Sequence, residues 1–201
     1  IPMPCAGNAV IHKPVKPDPK FFCDVGFIGG YWPYKAMKIN KYLVPVLNRT
    51  KSQIYGWGGW RHKNYKGRIQ DSDVNKLFSS ARVCPAITEP HTTRYGIDIP
   101  ERMFKVPLAG GFTVCDPCKG LERYVDPKIF PTAKNPAEYA SLINHYIQHE
   151  AERIELKKKQ RKAILKDHTY FTRIQGFLRF SGYESEAEEA QDHVLRMLVD
   201  A

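Results

Sequence analysis

No stretch of this chain is apolar over the roughly 20 residues that a bilayer crossing demands, so no membrane span is expected. Ile1 opens a proline-rich segment with neither a basic start nor an apolar run behind it, so no secretory signal is expected either. A full G-x-G-x-x-G fingerprint is missing, which disfavours dinucleotide binding and with it a dehydrogenase or methyltransferase. Also missing are a helix-turn-helix, a zinc finger and the aromatic signature of RNA-binding sheets. Cysteine is sparse and odd in number: Cys5, Cys23, Cys84, Cys115 and Cys118. A chain this long folds without staples, so free thiols, a reducing compartment and a cytoplasmic location are expected. Cys115-Asp116-Pro117-Cys118 has zinc-like spacing, but no second Cys/His pair stands at finger spacing, and no metal is expected. The Asn48-Arg49-Thr50 sequon without a signal reads as a coincidence of pattern.

What the chain does have is positive charge. Thirty-one Lys and Arg against 21 Asp and Glu give a net charge of +10. Such an excess calls for a polyanion, a phosphorylated small molecule or an acidic surface. The bases are not gathered in an arm, so a basic pocket for a phosphate is as consistent as a nucleic-acid footprint. With 42% hydrophobic and 12% aromatic residues over 201 positions, the chain can bury a core, and wholesale disorder is excluded.

Prolines at 2, 4, 14, 17 and 19 make residues 1–20 an extended lead-in or linker. From Phe21 the pattern alternates. Residues 22–28 predict a strand ending at Gly29-Gly30, residues 34–47 a helix, and 53–57 a second strand. A helix over 71–81 and a strand over 82–87 follow, then a polar loop. Asp98-Ile99-Pro100-Glu101 supplies a cap, a proline and an acid for a helix running to Leu108. Strands are expected at 112–115 and 128–130, and helices over most of 136–180. Strands alternating with helices predict an α/β fold: a single Rossmann-like, doubly wound, mainly parallel sheet with helices on both faces, spanning residues 21–181.

Residues 150–166 place acids first and bases last, which complements the helix dipole and sets Glu155 one turn before Lys159. They read as a solvated helix rather than a nucleic-acid stripe. Residues 182–201 start acidic, then space Ala187, Ala190, Val194 and Met197 at helical intervals, predicting an amphipathic C-terminal helix.

In such a sheet a ligand lies at the carboxyl ends of the strands. Three segments are expected there. Gly29 and Gly30 open backbone N–H groups to an anion, with Lys35 in reach. His91 to Lys105 brings Thr93 and Arg94 before a helix start and Arg102 and Lys105 into its first turns. Cations there oppose the helix dipole, so their placement suits a bound anion. Tyr65-Lys66-Gly67-Arg68-Ile69 is a strand-like pass that can sit against a nucleobase.

Taken in order, Gly26-Phe27-Ile28-Gly29, then Tyr65 to Ile69, Ser79-Ser80-Ala81-Arg82-Val83, Asp98 to Phe112, and His168-Thr169-Tyr170 with Arg173 resemble the C-terminal, donor-binding half of a GT-B glycosyltransferase. The resemblance covers most of residues 4–181 and is to the spore-maturation (CgeB-like) group, relatives of glycosyltransferase family 4. It implies a donor-binding domain that transfers a sugar from a nucleotide-diphosphate sugar to a hydroxyl or glycan acceptor without a metal or other cofactor. Lys, Arg and a helix N-terminus would stabilise the leaving diphosphate. An N-terminal acceptor domain or a partner subunit would supply the acceptor side, and no nucleic acid partner is expected. Position by position, Gly29, Gly30 and Lys35 match the diphosphate turn, Arg68 and Ile69 the segment beside the base, and Thr93, Arg94 and Lys105 positions near ribose and sugar. Two departures stand out. The family's pair of glutamates is replaced by Thr93 or Arg94 and by Lys105, and its usual arginine by Gly30, which suggests that basic groups grip the diphosphate. His91 and Glu89 are the in-chain candidates for a general base. The competing reading is a basic nucleic-acid-binding module without catalysis.

Overall fold

The apolar run before the paired glycines forms strand β1 (Val25–Ile28), which pairs in parallel with β2 (Ser52–Tyr55) from Val25 opposite Ser52 to Ile28 opposite Tyr55. A computed structural model describes residues 3–96 and 99–199. Ile1, Pro2, Ala201 and the expected cap Asp98 lie outside the described residues.

Beyond β1 and β2 the sheet is carried by single parallel bridges: Tyr65 to Ile54, Val83 to Val25, Ala86 to Cys115, and Cys115 to Thr132. Ladder hydrogen bonds support them, from Gly26 N to Val83 O at 3.0 Å, Ala86 N to Val114 O at 2.9 Å, and Cys115 N to Pro131 O at 2.8 Å. Numbered along the chain, the passes lie across the sheet in the order third, second, first, fourth, fifth, sixth. This is the doubly wound arrangement, and its direction of winding reverses between the first pass and the fourth. The expected strands at 82–87 and 112–115 are therefore passes of the sheet with only bridge-length regularity, and Pro85 removes one donor from the fourth. The expected strand at 128–130 is a turn instead: Asp126 accepts from Ile129 N and, through its carboxylate, from Lys128 N. The sixth pass comes at Thr132.

Alternate side chains face opposite layers, as a pleated strand requires. Val25, Phe27, Ile54, Val83 and Val114 pack on Ile39, Leu43, Tyr139 and Ile143. On the other face Tyr55 and Cys84 meet Leu77, Phe78 and Val106, while Ala86 and Cys115 meet Met103, Phe104 and Ile164. Each fully buried large side chain contributes about 1.5–3 kcal/mol relative to exposure.

The helix expected over 34–47 is one helical path with a wide turn inside it: α1 (Pro33–Lys38), a π turn over Ile39–Leu43, and α2 (Val44–Leu47). Pro45 cannot donate back to Lys41 and its ring crowds that carbonyl, and the π turn relieves both. Helix α3 (Asp71–Ser80) follows as expected. The expected polar loop contains a helix, α4 (Pro90–Tyr95), with Pro90 in its first turn and Gly96 closing it at φ +67°. Helix α5 (Arg102–Leu108) starts later than expected and is largely buried.

Helices α6 (Pro136–Gln148), α7 (Glu150–Asp167), α8 (Tyr170–Phe180) and α9 (Glu184–Val199) complete the chain. Helix α7 carries the expected Lys159–Glu155 pair at 2.6 Å, but it is not merely a solvated rod. Gln160 is buried and bonds both the N–H and the carbonyl of Thr113, clamping the fifth pass. Helix α9 buries Ala187, Ala190 and Val194 on its neighbours, while α8 leaves Tyr170, Ile174, Phe177 and Phe180 exposed. The proline-rich lead-in is bound along the body: Ser79 and Ser80 accept from Val15 N and Asp18 N, and Gly7 exchanges backbone bonds with His168 and Tyr170. Among the described residues no helix is long and apolar enough to cross a membrane, and no disulfide joins the cysteines.

Candidate active site

In a doubly wound sheet the crevice belongs where the winding reverses, here at the carboxyl ends of the first and fourth passes, where the chain runs from Ile28 into Gly29-Gly30 and from Ile87 into Thr88-Glu89. Helix α1 leaves the first of these turns, α4 leaves the second, and α5 passes beneath. Two tiers of buried charge fill the space between them.

The upper tier holds Lys35, Glu89 and Arg102. Lys35 is 8% exposed, pairs with Glu89 at 3.0 Å and lies 5.0 Å over the Trp32 ring. Burial, and next the charge of Arg102, pull its ammonium below the usual lysine range, with Glu89 opposing. Arg102 is 9% exposed, donates to the carbonyl of Ile28 and lies 4.3 Å over the Phe27 ring. Among the described residues no carboxylate forms an ion pair with it, and burial lowers its guanidinium to about 10. Among the described residues three buried polar atoms here find no hydrogen-bond partner: Arg102 Nε, Glu89 Oε2 and Thr92 Oγ1. Such orphans are costly in a closed interior, and they mark where a bound polar group would gain most.

The lower tier is Lys38 with Asp116. Asp116 is fully buried, pairs with Lys38, and accepts from Thr88 N at 2.9 Å and Thr88 Oγ1 at 3.0 Å. Lys38 also reaches Thr88 Oγ1, Thr93 Oγ1 at 2.7 Å and the Pro117 carbonyl at 3.3 Å. Burial pushes the Asp116 carboxyl up, and Lys38 and Thr88 hold it down against that. This tier ties α1, the fourth and fifth passes and α4 into one unit beneath Lys35.

Gly29, Lys35, Glu89 and Arg102 are thus brought together, with Thr93 joined to them through Lys38. Gly29 serves differently from the expectation. Its N–H is spent on Tyr55 O at 2.9 Å, and a Cβ there would meet Arg102 Nη2 at 2.7 Å. Its lack of a side chain makes room for a guanidinium, not for an anion at its own N–H. Gly30 lies under the Trp32 ring, which a Cβ would strike at 2.3 Å.

The other expected residues stand apart. His91, on α4, stacks on Tyr34 of α1 at 6.1 Å, at the rim. Arg94 is exposed, its guanidinium 5.2 Å over the Tyr95 ring. Thr93 and Arg94 belong to α4, not to a loop ahead of a helix. Lys105 lies one turn along α5 from Arg102 and pairs with Glu101 at 3.5 Å; burial and Arg102 lower it. Arg68 and Ile69 line a separate cleft of about 570 Å³ beside β2, with Lys20, Gln53, Tyr55 and Lys66.

Sequence reasoning missed Lys38, Thr88 and Asp116. A signal existed: an aspartate directly after Phe112-Thr113-Val114-Cys115, a run destined for the sheet, must find a buried cation. Among the described residues no group of three or more His, Cys, Asp or Glu stands where it could hold a metal ion.

The Glycosyl transferase-like family matches residues 35–179. Among curated proteins none matches the chain. Among solved structures the chain is similar to T4 phage β-glucosyltransferase, at 16% identity over 95% of this chain and 56% of that one, TM-score 0.61. It is also similar to Anabaena HepE in complex with UDP, at 13% identity over 87% and 55%, TM-score 0.66. A third is the sucrose-phosphate synthase of Thermosynechococcus elongatus, at 14% identity over 98% and 52%, TM-score 0.60. The phage enzyme has also been solved with its UDP-glucose substrate, and with UDP and Mn2+. The chain spans about half the length of these structures.

Proposed function

From the premise that the chain belongs to the Glycosyl transferase-like family, we propose that it is the donor-binding half of a metal-independent glycosyltransferase, its diphosphate seat formed by Lys35 and Arg102. One observation carries this reading: two buried cations lie at the sheet's switch point, and one of them has no ion-pair partner among the described residues. The neighbours solved with UDP or UDP-glucose support a nucleotide-sugar donor. The finer placement in the spore-maturation group and the division at residues 20 and 181 belong to the same proposal.

Buried guanidinium and ammonium groups are costly unless compensated, so a diphosphate that replaces water around them is held by charge-assisted bonds at little reorganisation. During transfer the bond from the anomeric carbon to the diphosphate oxygen breaks and its electron pair stays on the diphosphate. Cations already in position meet that growing charge and lower the barrier, the role a metal has elsewhere. The acceptor oxygen bonds the anomeric carbon and its proton passes to a base. Glu89 suits that task, since one carboxylate oxygen has no hydrogen bond among the described residues and the other is released as the diphosphate engages Lys35. His91 at the rim is the second candidate. Arg68 and Ile69 serve the base in the cleft beside β2, and Thr93, Arg94 and Lys105 serve ribose or sugar. The acceptor side comes from an N-terminal domain or partner, which the exposed apolar stripe of α8 is suited to meet.

The test is a thermal-shift panel of nucleoside mono- and diphosphates and nucleotide sugars on the full chain, with and without EDTA. A diphosphate should raise Tm, by linkage worth about 2.7 kcal/mol at a hundredfold excess over Kd. EDTA should leave the shift in place, and Lys35→Ala and Lys105→Glu should reduce it. No shift with any nucleotide would sink the reading.

A further inference from the structure

The opposite end of the sheet carries a second concentration of positive charge, away from the crevice. Two adjoining hollows of about 450 and 500 Å³ share Pro17, Ser79 and Lys157 and form one groove between the lead-in, the end of α3 and one face of α7. Six cations line it, Lys51, Arg82, Arg153, Lys157, Lys158 and Arg161, against two acids, Asp24 and Glu150.

These acids are spent at one end, Asp24 on Arg82 at 2.8 Å and Glu150 near Arg153 at 3.6 Å. Arg153 is further occupied by the Tyr146 carbonyl at 2.5 Å. Among the described residues Lys157, Lys158 and Arg161 make no ion pair. Arg161 Nε is buried with no hydrogen-bond partner among the described residues. Burial lowers both Lys157 and Arg161.

Arg153, Lys157 and Arg161 follow one another at four-residue intervals, so they form a row with steps of about 6 Å along the helix. Like charges at this spacing destabilise a helix, and half-burying them adds desolvation. A row kept at that cost is suited to an anion that repeats along its length. Inside the same groove Phe22 is 46% exposed and Ile154 is also exposed, which gives an apolar platform beside the cations. Basic grooves with exposed aromatics are how single strands are held, by phosphate contacts and base stacking. The hollows are too small for a duplex, and a bilayer surface cannot follow cations into a groove walled by Pro14–Pro17.

We propose that this groove binds the phosphodiester backbone of a single nucleic-acid strand, with Lys157, Lys158 and Arg161 on phosphates and Phe22 against a base. This groove shares no lining residue with the donor site. Binding of a strand departs from the expectation of no nucleic-acid partner because α7 proves to be the wall of a groove.

The experiment is fluorescence anisotropy of short labelled oligothymidylate and oligouridylate on the full chain across a salt series. Binding should weaken with a log–log slope of roughly −2, from about −0.7 per phosphate contact. Lys157→Glu with Arg161→Glu should reduce affinity at least about tenfold and flatten the slope by about 1.4. Phe22→Ala should weaken binding several-fold and leave the slope unchanged. Saturating UDP and Lys35→Ala should leave oligonucleotide binding intact. If the double reversal fails to fold, Lys51→Glu with Lys158→Glu, both exposed, stands in for it. Absence of binding at low salt, displacement by UDP, or indifference to both charge reversals would overturn the proposal. Co-sedimentation with phosphatidylserine vesicles without oligonucleotide binding would overturn it in favour of a membrane surface.

Discussion

The two ends of the sheet handle positive charge in different ways. At the carboxyl ends, Lys35 and Lys38 are buried beside Glu89 and Asp116, the lower pair is clamped by Thr88 and the Pro117 carbonyl, and only Arg102 has no carboxylate partner among the described residues. At the amino ends, Lys157 and Arg161 stand in a row with another cation and no carboxylate partner among the described residues. The first arrangement fixes side-chain positions before a ligand arrives, as charge stabilisation of a leaving group requires. The second leaves net charge exposed along a groove, which suits a long anion held by many weak contacts. Burial with a partner gives geometry; burial without one gives affinity for whatever supplies the missing charge.

The strongest way to break this contrast is to remove a carboxylate from the paired end. Asp116→Ala leaves Lys38 buried without its counter-charge and should cost about 3–5 kcal/mol in urea unfolding. Lys38→Met added to it should recover part of that loss. A cost below about 1 kcal/mol for the single variant would show that the lower tier does not hold the site together.

Next in size is the effect on ligand. Lys35→Ala should weaken UDP binding by about tenfold or more, equivalent to 1.4 kcal/mol or more, while Lys157→Gln leaves it unchanged. Isothermal titration separates these, and equal losses would erase the distinction between the ends.

A pH series sharpens the comparison further. Lys35 lies below the usual lysine range because burial and Arg102 disfavour its charge. A bound diphosphate favours the charged form, so binding draws on the protonated lysine and takes up a proton once pH passes the lowered value. UDP affinity should therefore fall as pH climbs from 7 towards 10. A flat profile would mean that Lys35 does not touch the diphosphate.

The smallest effect belongs to the unpaired end. Lys157→Gln relieves like-charge neighbours at four-residue spacing and should raise stability by about 0.2–0.5 kcal/mol per pair in low salt. The gain should vanish in high salt, where the repulsion is screened. A loss of stability would mean that Lys157 is held by favourable contacts.

The β1–glycine–α1 unit is legible in the sequence because Val25 to Ile28 is an apolar run and Gly29-Gly30 ends it. Helix α3 was legible for a similar reason, with Asp71 and Asp73 in its first turn. Helix α4 was hidden because Pro90 looks like loop punctuation unless it is placed in the first turn of a helix. The passes at Val83 and Cys115 were found but overstated in regularity, since single bridges leave no longer alternation to read. Lys35, Glu89 and Arg102 could each be named, but not their convergence, which depends on how α5 passes under Gly29. The pairing of Lys38 with Asp116 is not legible in the sequence because it joins α1 to the end of the fifth pass, 78 residues apart, and only the folded sheet brings them together. The α7 row was seen as charge order along a helix, and only its packing against Pro14–Pro17 turns it into a groove.

The most direct test of the central claim is calorimetric titration of the full chain and its Lys35→Ala variant with UDP and with uridine. If the crevice grips a diphosphate, the unaltered chain binds UDP and ignores uridine, and the variant loses that preference. Equal binding of UDP by both chains, or none by either, would contradict it.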